Sequence, residues 1–372
     1  MARIESLAVL STQAGMDYLA EEYGKVIDNI QKNTISAQLK NQDLSGTPTA
    51  GSVEAKRFVN RKSNAYGTAR AGGAGQKVKA EPVTIQINID RELITEVEQK
   101  DVSLYGVDNF INRQAALDEK SMSRELERKF FEVAGAAGAG NSFSTSETAI
   151  EKKIEALIQA VENTQNDYVD GVERDMISVV LDTATYGDLR NYLDNKNNAN
   201  VDTAAGEFNT FHGVPVYSTV YLPKGVTAIA MANGAVAQPV LTTIDEAGKF
   251  DASNAYHFGM FYSFGCKAVM PDLIQVLATT ASGLTVVSTA GTANGKTKVT
   301  VEPAPYGVDT LAYKTGASLT LPNFGAGSNG YTDWNGKDEI AATASQDLII
   351  VELDSNKKIV KAGKTTATVK GS

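Results

Sequence analysis

The chain has 372 residues, 42% of them apolar and 21% charged, with 44 acidic against 35 basic side chains and a net charge of -9. That is ample core material for two or three soluble domains, and the acidic surplus argues against a surface built mainly to hold nucleic-acid phosphates. One cysteine, Cys266, excludes an intramolecular disulfide, and with only His212 and His257 beside it no Cys/His zinc cluster can form.

The start, MARIESLAVLSTQAG, carries an apolar run too short and interrupted for a secretory signal, and the most apolar later stretch, 226–241, is broken by Asn233, Gly234, Gln238 and Pro239. Synthesis in the cytoplasm with no membrane partner is expected. Residues 1–40 lean to helix, with Leu7, Leu10 and Ala14, then Tyr23, Ile27 and Ile30, at three- and four-residue steps. Gly15 and Gly24 interrupt the pattern, which predicts two short helices packed on the main body; a partner-binding arm is the competing reading. Residues 41–52 have linker composition.

Residues 53–106 predict two extended arms around the glycine-rich tip SNAYGTARAGGAGQK. In the second arm, EPVTIQINID, Val83, Ile85, Ile87 and Ile89 alternate with Thr84, Gln86, Asn88 and Asp90, the period-two pattern of a half-buried strand. Continued through Val97, it would reach about 50 Å. Arg57, Arg61, Lys62, Arg70, Lys77 and Lys79 make this hairpin basic on an acidic protein, which suits docking on an acidic neighbour; a solvated loop is the plainer alternative.

Residues 108–134 predict an amphipathic helix about 40 Å long, with Phe110, Ile111, Gln114, Ala115, Met122, Leu126, Phe130 and Val133 as its stripe. Glu119, Lys120, Arg124, Glu127 and Arg128 form its charged face, Glu125 stands one turn before Lys129, and GAAGAGN is expected to stop it. A second helix over 147–163 opens with Ser144 and Glu147 at capping-box spacing. The run 176–181 predicts a buried strand and 183–193 a helix, so the class is mixed α/β. After a polar loop, 194–208, the stretches HGVPVYST, GVTAIAMAN and HFGMFYSFGCKAVMPDLIQVLA predict strands with turns at Gly213, Pro223, Gly225 and Gly265. From Ser282 the composition shifts to Thr, Val, Gly and Asn, and five or more short strands predict a small immunoglobulin-like sandwich, removable without opening the main core.

No enzyme chemistry emerges. His212 and His257 lack a nearby nucleophile motif, Cys266 sits in an apolar strand as a small hydrophobe, and the glycine runs at 71–75 and 135–140 match neither a P-loop nor a dinucleotide fingerprint. DNKNNANVD lacks the glycine and closing glutamate of a calcium loop. No catalytic, cofactor or metal residues are nominated.

The order of parts resembles the major capsid proteins of tailed bacteriophages, the Hong Kong 97 type of fold. The resemblance covers roughly residues 50–278 and rests on EPVTIQINIDRELITEV as extended loop, NFINRQAALDEKSMSRELERKFFEVAG as spine helix, and SVVLDTATYGDLRNYLD followed by FHGVPVYSTVYLP as an axial domain. It implies an N-terminal arm (1–50), an extended loop (51–106), spine helix and peripheral domain (107–146), axial domain (147–260) and peripheral return (261–281). The tail, 282–372, looks like the small domains appended to some capsid proteins.

By that resemblance, copies assemble as hexamers and pentamers into an icosahedral shell around double-stranded DNA, which they contact without sequence preference, and the chain ends in a virion built in the host cytoplasm. A portal protein is implied, and with some fifty residues before the loop, a separate scaffolding protein too. Arg57, Arg61, Lys62, Arg70, Lys77 and Lys79 are the expected inter-subunit contacts, with Lys120, Arg124 and Arg128 on the spine. The rival functions are an encapsulin-like compartment shell and a surface protein binding glycans through its C-terminal sandwich, with Trp334 and Tyr331 as a stacking platform or, more plainly, as core.

Overall fold

The computed structural model describes residues 7–60, 63, 65–67, 79–102, 106–139, 141, 143, 145, 147–194, 201–202, 207–250, 253–278, 280–305 and 308–371. The main elements in chain order are α1 (Gln13–Asn33), α2 (Ile35–Leu39), β1 (Ser52–Phe58), β2 (Ala80–Gln86), β3 (Ile89–Glu98), α3 (Val107–Ala139), α4 (Ile150–Glu162), β4 (Ile177–Leu181), α5 (Thr183–Asp194), β5 (Val214–Ser218), β6 (Val226–Ala232), β7 (Val240–Ile244), β8 (Ala255–Phe264) and β9 (Ile274–Ala278). The C-terminal part adds β10 (Thr285–Ala290), β11 (Lys296–Glu302), β12 (Thr310–Gly316), β13 (Thr332–Trp334), β14 (Asp347–Leu353) and β15 (Ile359–Thr366). Two compact units result, one of Met1–Glu54, Thr84–Phe130 and Ala237–Cys266, the other of Ala55–Val83, Phe131–Val236 and Lys267–Ser372.

In the first unit, α1 runs unbroken through both glycines, where two short helices were expected. Gly15 serves close packing rather than interruption: a β-carbon there would lie 2.2 Å from the Val9 carbonyl oxygen. The break falls instead at Thr34, whose backbone is extended and whose hydroxyl donates to the Ile30 carbonyl at 2.7 Å and accepts from the Ala37 amide at 3.3 Å. The period-two pattern of the second arm holds, with Ile85 and Ile89 buried and Gln86, Asn88 and Asp90 exposed. It is not one strand, however. Ile87 gives its amide to Gly51, β2 stays with β1, and β3 pairs antiparallel with β8 along ten residues, from Ile89 opposite Phe264 to Glu98 opposite Ala255. Two glycines make the approach possible, since a β-carbon at Gly265 would meet the Gln86 oxygen at 1.9 Å and one at Gly259 the Leu93 oxygen at 2.0 Å.

In the second unit, a mixed sheet runs in the order β9-β6-β4-β5 with Thr210–Phe211 at its edge, β5 lying parallel to β4 and the rest antiparallel. Every residue of β4 is buried, and Ile154, Leu157, Ile158 and Val161 of α4 share its core with Leu189 of α5. The first of these helices begins at Ile150 behind Ala149, which makes no side-chain cap; the capping box expected from Ser144 falls on a residue outside those described.

The long helix also outruns its expected stop, continuing five residues past Ala134 to Ala139. Glycine there serves packing: a β-carbon at Gly138 would stand 2.7 Å from Val276 and 3.0 Å from Ile274, and one at Gly135 would stand 3.1 Å from the Phe324 ring. Burial of Ala134 and Ala136 compensates the poor helix propensity.

The C-terminal part forms two antiparallel sheets, β10-β11 with Ile340–Ala341 and β13-β12-β14-β15, around a core including Leu284, Val286, Trp334, Leu348 and Ile350. It was expected to be removable, yet it packs closely on the rest of its unit. Its loop inserts Phe324 between Gly135 and Gly225, the Ala281 amide bonds to the Pro322 carbonyl, and a β-carbon on Gly325 would lie 2.0 Å from that of Ala139.

Candidate assembly elements

Along α3, Ile111, Ala115, Met122, Leu126 and Phe130 are buried as the stripe predicts. Two carboxylates are buried with them. Asp118, 4% exposed, accepts from the Tyr23 hydroxyl at 2.9 Å and from Gln114 at 3.2 Å. Glu127, expected on the solvent face, is 7% exposed and accepts the Ile35 amide at 2.8 Å, capping α2. Burial pushes both acids up from their ordinary pKa values, and it pushes the Tyr23 phenol up as well, with Asp118 adding to the effect. Glu125 receives Arg91 Nε at 2.6 Å and the Tyr262 hydroxyl, and Gln238 donates to the Leu126 carbonyl at 2.8 Å. Helix register is thus tied by directional bonds to α1, α2, β3 and β8. Spacing carried a signal for one of these ties, because Asp118 falls between Ala115 and Met122 on the apolar stripe.

Lys120, Arg124 and Arg128 are exposed on the helix, as the sequence places them. Arg61, Lys62, Arg70 and Lys77 lie outside the described residues; Lys79 is exposed at the hairpin root. Arg57 has a partner inside its own chain: Nη2 donates to both oxygens of Asp272, at 2.6 and 2.5 Å, and the guanidinium lies 3.9 Å over the Tyr168 ring. Phe58, 58% exposed, and Tyr66, 92% exposed, are apolar surface on the same ribbon.

His212 Nδ1 lies 2.8 Å from Glu155, its ring stacks on Phe211 at 4.0 Å, and Arg174 spans Glu155 and Glu162 while donating to the His212 carbonyl. Burial pushes the Glu155 carboxyl up, but the hydrogen bonds from Arg174 and His212 outweigh it and hold the group below its usual pKa. His257 pairs with Asp245 at 2.7 Å. Cys266 is partly rather than fully buried. Trp334 belongs to the C-terminal core, 8% exposed, its indole N–H donating to the Asp338 carbonyl at 2.8 Å, and Lys314 stands over Tyr331 at 5.6 Å, so these two rings form no open stacking platform. Among the described residues no group of three or more His, Cys, Asp or Glu is placed to hold a metal, and no helix is long and apolar enough to cross a membrane.

A family model, the S-layer protein SbsC C-terminal domain, matches residues 289–369. No curated protein matches the chain. Similar solved structures include a chain of Mycobacterium phage Che8, 15% identical, covering 66% of this chain and 90% of that one, with a TM-score of 0.47. The capsid of cyanophage P-SCSP1u is 12% identical over 66% of this chain and 88% of that one, at a TM-score of 0.49. A virus-like particle from Pyrococcus furiosus is 14% identical over 70% and 99%, at 0.44. Phage capsid proteins are thus among the structural neighbours, at low identity.

Proposed function

We propose that the chain is the major capsid protein of a tailed double-stranded DNA bacteriophage, a structural subunit without catalytic activity. The observation that carries this reading is the order of hairpin, ten-residue ladder and 33-residue helix, β1 through α3. The hairpin carries Phe58, 58% exposed, and the exposed Lys79 on an acidic protein, and a neighbouring copy would offer Phe58 an apolar lid and Lys79 acidic groups. The helix, about 50 Å long, gives the subunit a stiff beam, and many modest contacts multiplied in a closed assembly need no single tight site.

In this reading, residues 1–50 are the arm, 51–106 the extended loop, 107–146 spine and peripheral domain, 147–260 the axial domain, 261–281 the peripheral return and 282–372 an immunoglobulin-like domain on the outer surface. Arg61, Lys62, Arg70, Lys77 and Lys79 reach the next copy, and Lys120, Arg124 and Arg128 serve contacts along the spine. Hexamers and pentamers form with a separate scaffolding protein and a portal, and the shell meets DNA without sequence preference.

Electron microscopy of the full chain expressed with its scaffolding protein tests the reading. Closed shells or capsomers are expected, and reversal of Lys120, Arg124 and Arg128 to glutamate lowers their yield. A chain that stays monomeric under all conditions sinks the proposal, and native particles holding protein cargo in place of a genome replace the phage capsid with a compartment shell.

A further inference from the structure

Both strands of the hairpin are held at their root by one short loop. On the outgoing strand, Arg57 shares Nη2 between the two oxygens of Asp272 and lays its plane over Tyr168, and the Asn60 amide donates to the Asp167 carbonyl at 2.8 Å. On the returning strand, the Tyr168 hydroxyl is hydrogen-bonded to Glu81, an interaction that holds the phenol above its usual pKa. Within the loop, Asn166 accepts the amides of Tyr168 and Val169 at 2.8 and 3.0 Å and donates its own amide to Asp272. The side chain of Asn166 thus builds the turn that presents Tyr168 and, at its other end, steadies the carboxylate that takes Arg57.

The Arg57 side chain is 14% exposed and that of Asp272 26% exposed, and Arg57 Nε is buried without a partner. A guanidinium free to follow solvent or a neighbour would not leave a donor buried and unmet, because that costs free energy. Its position is dictated by Asp272 and the Tyr168 ring together. A lysine would keep the charge and lose both the planar stack and the arginine's fixed donor geometry.

We propose that Arg57, Tyr168 and Asp272 form a clasp that fixes the course of the hairpin at its root, so that Arg57 acts inside its own subunit while the cations beyond it act on a neighbour. The clasp stands on the geometry of the single chain; only its consequence for assembly rests on the shell reading.

Hydrogen exchange of the isolated full-length chain tests it, with the Asn60 amide as reporter and the buried strand Ile177–Leu181 as control. R57K, D272N and the partly exposed Y168L each accelerate exchange at Asn60 by about tenfold or more while the control strand stays protected, and R57K/Y168L accelerates it by less than the product of the single effects. Unchanged exchange at Asn60 in all three variants overturns the clasp, as does an acceleration shared equally by the control strand. Shells are then assembled from R57K: fewer or misshapen particles are expected, and wild-type yield and geometry despite a loosened root overturn the orienting role. Failure of the wild type to assemble sinks the shell reading alone, since the exchange result is obtained on the unassembled chain.

Discussion

Replacing Phe324 with alanine tests whether the C-terminal part is built into the second unit or merely tethered to it. Phe324 is 2% exposed, and its surroundings cannot close over the gap: Gly135 and Gly225 have no side chains to move inward, and the former lies in a hydrogen-bonded helix. Loss of the ring forfeits a transfer term of about 2 kcal/mol. A ring-sized hole of roughly 80 Å³ adds about 2 kcal/mol at the usual cost per cavity volume, so the expected loss is about 4 kcal/mol. The single tryptophan makes the assay specific, because Trp334 lies in the C-terminal core while hydrogen exchange of the buried strand Ile177–Leu181 reports the rest of the second unit. In the wild type the two probes should share the transition of the second unit. In F324A the transition shifts to lower denaturant and the tryptophan signal parts from that of the Ile177–Leu181 strand, the departure from two-state behaviour expected of an undocked module. A loss under about 1 kcal/mol with the probes still coincident would refute the reasoning, since a buried wedge between glycines cannot be removed so lightly.

Gly24 and Gly15 make a matched pair in one helix: G24A, with open space around the site, should gain about 0.5–1 kcal/mol, whereas G15A must push the Val9–Leu10 backbone aside and should lose about 2 kcal/mol or more in thermal unfolding. Removing the hydroxyl that meets Asp118, as in Y23F, should cost about 1–3 kcal/mol, read from denaturant midpoints of the first unit. Because burial raises the folded pKa of Asp118 and Glu127, their contribution is fully present below the unfolded carboxylate value and is lost as pH rises through the folded value; acidifying from neutrality should therefore favour the first unit. Asp118→Asn keeps an acceptor for Tyr23 and should flatten that trend, and a variant whose deficit against wild type widens with rising pH would contradict it. Glu155, held below the usual range, behaves oppositely, its contribution to the second unit being lost as pH falls through its folded value.

Periodicity located the stripe of α3 and the two faces of the second arm because both patterns record burial, and burial is what these elements were selected to achieve. It placed the ends badly for a related reason. Gly15, Gly24, Gly135 and Gly138 stand inside helices, where propensity predicts breaks, and at Gly15, Gly135 and Gly138 the missing β-carbon admits a neighbour whose contact outweighs the local penalty. The division of the second arm at Ile87 was hidden in the same way, since the alternation continues across the division although the hydrogen-bonding partner changes from β1 to β8. Among the candidate contacts, the count of basic residues could not separate Arg57 from Lys79, because Tyr168 and Asp272 reach Arg57 from far along the chain.

The polar ties along α3 have a physical purpose that the apolar stripe cannot serve. An apolar stripe fixes which face is buried but tolerates small rotations and slips, because hydrophobic contact is not directional. Asp118, Glu125, Glu127 and the Leu126 carbonyl each bind a group from a different segment, namely Tyr23, Arg91 with Tyr262, Ile35 and Gln238, so rotation about the axis or a slip along it breaks several bonds together. Burying carboxylates to achieve this is costly, as their raised pKa values record, and apolar replacements would hold the arm as firmly or more so. What such replacements would forfeit is angular definition. If copies of the chain repeat around a closed surface, as proposed, a small error in this helix would recur in every copy, and a definite register would then be worth more than the last increment of stability.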